Sequence, residues 1–301
     1  AGMTQLKDRE FSVGATGVQT SFKFSDQGSA ALAGTGNGGD GGSLGFIPNG
    51  YLSWALNKDW YVGVGVGAPF GLVTKYNDPW IGGAHSLSFD IKTYNINPSV
   101  AYKVNDQLSV GLGLSWQRIE AEYKKIAGIG VPFSLTRVTL KLDDDSWGWN
   151  VGALYKVTPA TTLGVSYRSQ VKYDLTGNTK GSGGIAPVIA AATGDAKAKL
   201  TLPDTVIFSA AHKLNDRWEL LGDVSWTGWN SIPELNILRP TGALVQKLDT
   251  KFRDTWRVAV GGNYTVNDAW KLKVGVAHDQ TPIRDAAHRL ASLPDNDRTW
   301  F

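Results

Sequence analysis

Apolar and polar residues alternate one by one along most of the chain, and nowhere do they repeat at the spacing of a long helix. Over residues 108–117 Leu108, Val110, Leu112, Leu114 and Trp116 fall on one side, and Ser109, Gly111, Gly113, Ser115 and Gln117 on the other. The same period predicts strands over 10–24, 47–56, 60–69, 87–104, 107–123, 138–157, 161–175, 197–214, 218–238, 251–266 and 270–280, and the start of a twelfth at Arg298. Most are longer than the five or six residues usual in soluble sheets. A short turn recurs between them: YKVNDQL at 102–108, HKLNDRW at 212–218 and YTVNDAW at 264–270, with looser copies LNKDW at 56–60 and YKVTPAT at 155–161. Each reads as the tight end of a hairpin, and the recurrence roughly every 50 residues makes the unit two long strands, one short turn and one long loop.

The other ends of these hairpins are connected differently. A Gly-rich stretch over 25–44, the segment 76–85, a Gly/Ala-rich stretch over 177–196 and the segment 281–297 read as long loops. Residues 286–293 hold at most a turn or two of helix, closed in by Pro282 and Pro294.

Alternating strands fit either a soluble β-fold or a membrane barrel, and the non-apolar face favours the barrel. Gly63, Gly65 and Gly67 oppose Val62, Val64 and Val66, while Lys271, Lys273, Glu219 and Asp223 recur on the polar side. Small and charged residues suit a wide, wet lumen. Trp60, Trp218 and Trp270 follow turns and Tyr102, Tyr155 and Tyr264 precede them, which predicts an aromatic ring at one membrane interface. Val62, Leu112, Val224, Val258 and Val274 are then expected to face lipid, and all five short turns to lie at one end. A propeller, the soluble rival, uses four short strands per repeat rather than two long ones.

Composition narrows the chemistry. The 301 residues include 36 Gly, 12 Trp and no Cys, so thiolate metal sites and thiol nucleophiles are excluded. No apolar run approaches the roughly 20 residues of a helical span, and a mean hydropathy of -0.18 does not exclude a membrane protein, because barrel strands are apolar on one side only. Four scattered His give no metal cluster, and a net charge of +3 without a basic block gives no nucleic-acid surface. His85 with Ser86 or Ser88, and His212 with Ser209, are the nearby Ser/His pairs, and none sits in a nucleophile motif, so neither an enzyme nor a cofactor is expected. No signal peptide is visible at Ala1.

The chain resembles the FadL/TodX family of outer-membrane transporters for long-chain fatty acids and other hydrophobic compounds. The resemblance runs through PFGLVTKYNDPWIGG at 69–83, NINPSVAYKVND at 95–106, SWGWNVGALY at 146–155, SYRSQVKYDLTGN at 166–178, LPDTV at 202–206, SWTGWNSIPEL at 225–235, FRDTWRVAVGGNY at 252–264 and LPDNDRTW at 293–300. It implies an antiparallel transmembrane β-barrel, 14-stranded and plugged by an N-terminal hatch. In this single barrel domain, 1–301, the hatch is read as absent and the chain as stopping at the twelfth strand. The resemblance also implies a bacterial outer-membrane monomer in contact with lipid and lipopolysaccharide, taking up a long-chain fatty acid or another hydrophobic small molecule. Lys125 and Lys247 match a cationic pair that receives the ligand carboxylate, and Ala68, Pro69, Phe70 and Gly71 match a kink that opens the wall sideways. Ile129, Val131 and Phe133 are expected to form an outer capture groove. Uptake of aromatic hydrocarbons, or general diffusion through a porin, are the alternatives.

Overall fold

The computed structural model describes residues 1–29, 33–127 and 135–301, and its strands form one antiparallel sheet. They are β1 (Arg9–Gln19), β2 (Leu44–Ala55), β3 (Trp60–Gly67), β4 (Gly71–Lys75), β5 (Ser88–Lys103), β6 (Leu108–Ala127), β7 (Thr136–Thr158), β8 (Thr161–Arg168), β9 (Val171–Ser182), β10 (Gly194–Leu202), β11 (Thr205–Lys213), β12 (Trp218–Thr227), β13 (Leu235–Leu238), β14 (Leu244–Leu248), β15 (Thr255–Thr265), β16 (Lys271–Asp279) and β17 (Arg298–Trp300). One short helix, α1 (Ala186–Ala192), lies between β9 and β10. Several of these pieces continue one another end to end: β3 into β4, β8 into β9, β10 into β11, β12 into β13 and β14 into β15. Each pair shares a neighbour on the same side, as β3 and β4 do along β5 and β8 and β9 along β7. The wall therefore has the eleven strands and the start of a twelfth that the alternation predicts. Among the described residues β1 pairs only with β2, and β17 only with β16.

The five short turns lie at one end, because successive wall strands reverse direction. Their chemistry is shared. The side-chain oxygens of Asn57, Asn105, Asn215 and Asn267 each accept two backbone N–H groups from the residues two and three positions on. Thr158 does the same with its hydroxyl. These Asx-type bonds replace the ladder where the backbone turns.

The outer face is apolar where the sequence predicts it. Leu112, Val224, Val258 and Val274 are exposed, Val274 at 72%, and Val62 shares their face through its register with Val100 and Leu112. The ring at the turn end is joined by a second one that the sequence reading missed, made by Trp147, Trp149, Tyr167, Trp226 and Trp256. Trp218 pairs with Tyr264 in one ring, and Trp226 with Trp256 in the other. Eight residues separate them, about 27 Å along a strand and about 20 Å across the membrane after the usual tilt, near the height of a lipid-facing band.

Beyond the second ring the two faces exchange character. On β7 the apolar residues are Trp147, Trp149, Val151 and Tyr155 on the outside, but Val138, Leu140 and Leu142 on the inside. On β6, outward Val110, Leu112, Leu114 and Trp116 give way to inward Ile119 and Tyr123. The outer face there carries Arg118, Glu120, Glu122 and Lys124, laced by Arg118–Asp143, Lys124–Glu122 and Lys141–Glu122 ion pairs. Outside the bilayer the exterior meets water and headgroups, so burial of apolar side chains pays only on the inside.

Several boundaries differ from the sequence pattern. The stretch 177–196 is not a loop: β9 runs to Ser182, α1 follows and β10 starts at Gly194. Gly177, Thr179 and Gly181 face inward in regular register with β7, so they pack a strand without showing apolar alternation. The strand expected at 161–175 breaks at Ser169–Gln170, and that at 197–214 at Pro203–Asp204. Pro203 cannot donate to a ladder, and Asp204 instead accepts from the Tyr167 hydroxyl and the Gln170 amide. The strand expected at 218–238 is interrupted over 228–234, and β14 precedes a break over 249–254 where a continuous strand from 251 was expected. The first strand ends at Gln19, and β2 begins at Leu44. Within 286–293 only a 3-10 turn, Ala286–His288, forms, with Asp285 accepting its last N–H.

Candidate functional site: the lumen and its side window

The interior is divided in two. Its upper half is filled by buried Phe89, Ile119, Tyr123, Leu140, Leu142, Tyr173 and Leu175 with their neighbours from β10, Ile232, Ile237, Phe252 and Ile283. The expectation of a wet lumen throughout is corrected here, because the face exchange turns apolar side chains inward. The lower half holds a cavity of about 1120 Å³. The N-terminal segment enters it: Thr4 Oγ1 donates to Ser109 Oγ at 2.8 Å, and Gly63 and Gly111 give the room. A Cβ on Gly63 would stand 2.5 Å from Met3 Sδ, and one on Gly111 2.1 Å from the Ala1 nitrogen.

Between these halves the wall is interrupted at Ala68, Pro69 and Phe70. Three residues here face two on β5, since Gly67 pairs with Asn95 and Gly71 with Lys92. The buried Thr93 hydroxyl replaces the lost ladder, accepting the Phe70 N–H at 2.9 Å and donating to the Phe70 carbonyl at 2.6 Å. The Phe70 ring turns inward and meets Trp229 edge-on at 6.0 Å, and Trp229 meets Phe252 at 5.9 Å.

The kink leaves a window. β2 pairs with β3 only up to Asn49 opposite Gly67, and β4 pairs with β5 alone. Residues 44–48 and 71–74 thus have no ladder between them among the described residues. The Lys75 N–H to Gly41 carbonyl bond, 2.9 Å, closes the opening at its far end. Ile47 and Pro48 on one side, and Ala68, Pro69 and Phe70 on the other, all line the large cavity.

Lys125 and Lys247 lie above this level, and the structure does not bring them together as a pair. Lys125 faces inward from β6, and its ammonium donates to the Gln246 side-chain oxygen. Burial holds its pKa below the ordinary lysine value. Lys247 follows Gln246 on β14 and therefore takes the opposite face. It is exposed and bonded to Glu234 at 2.5 Å, which raises its pKa. Ile129, Val131 and Phe133 lie outside the described residues. His212 bonds Thr161 at 2.9 Å, and alternation puts it on the face of β11 opposite Ser209.

The cavity also contains a cation that sequence reading passed over. Arg168, the last residue of β8, lines it together with Asn150, Arg257, Asp279 and Arg298. Its signal lay in the SYRSQ stretch, where an Arg falls on the non-apolar period of the run Leu163, Val165 and Tyr167.

Comparison with known proteins agrees with this architecture. Residues 1–301 match the family model described as outer membrane protein transport protein (OMPP1/FadL/TodX). The chain is 29% identical over 288 residues to a long-chain fatty acid transport protein of Escherichia coli O6:H1, covering 85% of this chain and 64% of that protein. It is 30% identical over 284 residues to outer membrane protein P1 of Haemophilus influenzae, covering 85% and 61%. It thus spans less than two thirds of these relatives' length. Among solved structures, a Pseudomonas aeruginosa FadL homologue superposes with a TM-score of 0.84 at 26% identity, covering 99% of this chain and 78% of that one. The Ralstonia pickettii toluene transporter TbuX superposes at 0.73 with 20% identity, covering 92% and 79%.

Proposed function

Because the chain belongs to the outer membrane protein transport protein family (OMPP1/FadL/TodX), we propose that the complete protein admits hydrophobic molecules through the outer membrane, with long-chain fatty acids as the leading substrate class. It is a β-barrel protein of the bacterial outer membrane, and the family description names transport rather than an enzyme class. The observation that carries the reading is the sideways window between residues 44–48 and 71–74, lined by the same residues as the lumen cavity. A lipophile captured at the outer loops passes the apolar upper lumen with its carboxylate near Lys125. It then leaves beside Ala68, Pro69, Phe70 and Gly71 into the bilayer. Each CH₂ stays out of water along this route, worth about 0.8 kcal/mol apiece, so no energy source beyond removal of the ligand inside is needed. The barrel acts as one domain and one monomer, and the charged outer face above the upper ring contacts lipopolysaccharide.

A general diffusion porin needs a continuous water column, and the filled upper lumen speaks against one. Aromatic hydrocarbons are the second reading. It is favoured by the fold shared with the toluene transporter and by the aromatic ladder Phe70, Trp229 and Phe252. The test is uptake by cells carrying the complete protein with Pro69→Val and Gly71→Val. Loss of fatty-acid uptake with a normally assembled barrel supports lateral exit, and unchanged uptake rejects it in favour of passage straight down the lumen.

A further inference from the structure

We propose that Arg168 and Asn150 form a second carboxylate-binding station in the lower lumen, beside the kink and well separated from Lys125. This deepens the transport reading above and rests on it. The remaining arginines that line the cavity are neutralised: Arg257 bonds Asp223 at 2.7 Å, and Arg298 bonds Asp279 at 2.8 Å and Asp295 at 3.1 Å. Arg168 has no carboxylate partner among the described residues, although it is only partly exposed. The acid near the strand break, Asp204, already accepts from Tyr167 at 3.2 Å and Gln170 at 3.4 Å, both neutral donors.

Asn150 supplies an independent observation. It stands directly opposite Arg168 in the β7–β8 register, and both line the cavity. Directly opposed residues have Cβ atoms about 5 Å apart on one face. The Asn150 side-chain nitrogen is buried and has no acceptor among the described residues. Two adjacent donor groups thus lack an acceptor, and one of them is a guanidinium. A half-buried charge and an unpaired amide both cost stability, and a planar anion removes both costs at once. The arginine fork takes the two oxygens of a carboxylate side by side, with the Asn150 amide as a further donor.

The surroundings select what carries that carboxylate. Arg168 and Phe70 line the large cavity and also a small pocket behind it, shared with Trp149, Val171 and Pro203. The head group would meet the two donors while the chain lies against the Phe70 ring and toward the window. Lys125 is a different station: Asn150 pairs with Gly113, and from Gly113 to Lys125 the strand β6 runs about 40 Å. One fatty acid cannot touch both. The ligand class is therefore a long-chain monocarboxylate, handed from the upper cation to the lower one before it leaves.

The experiment measures equilibrium binding of oleate and of methyl oleate to the full-length protein in detergent, at a pH where oleate is ionised. The wild type is expected to prefer oleate. Arg168→Gln is expected to weaken oleate about ten- to hundredfold, the loss of a charge-assisted bond, while methyl oleate changes less than twofold. Arg168→Lys recovers part of the preference. If Arg168→Gln fails to assemble, Asn150→Asp cancels the cation without removing it and should give the same split. An unchanged oleate affinity, or an equal loss for acid and ester, overturns the station. A wild type that binds both ligands without preferring the acid overturns the station and leaves hydrophobic transport standing, whereas one that binds neither overturns both.

Discussion

Replacing Thr93 with Val removes one oxygen and nearly nothing else, and it isolates what holds the kink. That oxygen accepts the Phe70 N–H at 2.9 Å and donates to the Phe70 carbonyl at 2.6 Å, in a side chain only 1% exposed. Valine keeps the β-branched shape and its single preferred rotamer, so packing of the neighbours is preserved. Both Phe70 backbone groups lose their partner in a wall position where three residues face two and no ladder is offered. An unsatisfied buried backbone group costs about 1–3 kcal/mol, so the substitution should destabilise the barrel by about 2–4 kcal/mol. The assay is reversible urea unfolding in lipid vesicles, read as a midpoint shift at unchanged slope. Thr93→Ser keeps the hydroxyl and should cost under about 1 kcal/mol. A Thr93→Val midpoint equal to wild type would refute the reasoning, and so would a Ser variant as unstable as the Val variant.

Other consequences are as direct. Val260→Arg places a charge on the lipid face midway between the two aromatic rings, opposite Gly222, and should cost about 2–4 kcal/mol, whereas Lys273→Val on the lumen side should change stability by less than about 1 kcal/mol; vesicle unfolding checks both. Lys125 lies about 30 Å along β6 beyond Trp116, above the membrane. Burial lowers its pKa in the folded state, so the folded protein holds fewer protons than the unfolded chain just below pH 10.5, and stability rises with pH across that window. Lys125→Met should flatten the rise, measured as unfolding midpoint against pH, and an unchanged slope would show that Lys125 is not buried.

How far the sequence reaches depends on whether the signal is local. Hairpin ends are local: an Asn with a Trp or Leu three residues on carries its own turn bonds, so the short turns and their common end are legible. The lipid face of residues 108–116 is equally legible because one environment lasts for the whole run. The face exchange on β7 is present in the sequence as a change of phase, Val138, Leu140 and Leu142 against Trp147, Trp149 and Val151, with Asp143–Asp145 between. It reads as noise unless each strand is allowed two environments. Breaks such as Ser169–Gln170 were invisible because the alternation resumes beyond them, and only pairing with different partners, β11 below and β10 above, defines them. The kink at Pro69 was marked by residue type. Its holding group, Thr93, is a β-strand residue like any other until the fold sets it against Phe70. Lys247 shows the limit for sites: one residue of register on β14 decides whether a cation faces the lumen or Glu234, and register belongs to the pairing with β13.

The central claim is that the ligand path turns sideways between Pro48 and Pro69. Crystals of the full-length protein grown with a fatty acid brominated along its chain test this most directly, because the anomalous peaks trace the chain atom by atom. The account predicts a head group at the Arg168 and Asn150 donors and bromine peaks running past Phe70 into the opening between residues 44–48 and 71–74. Peaks that continue down the lumen toward the turns at Asn105 and Asn215, with the window empty, would contradict it.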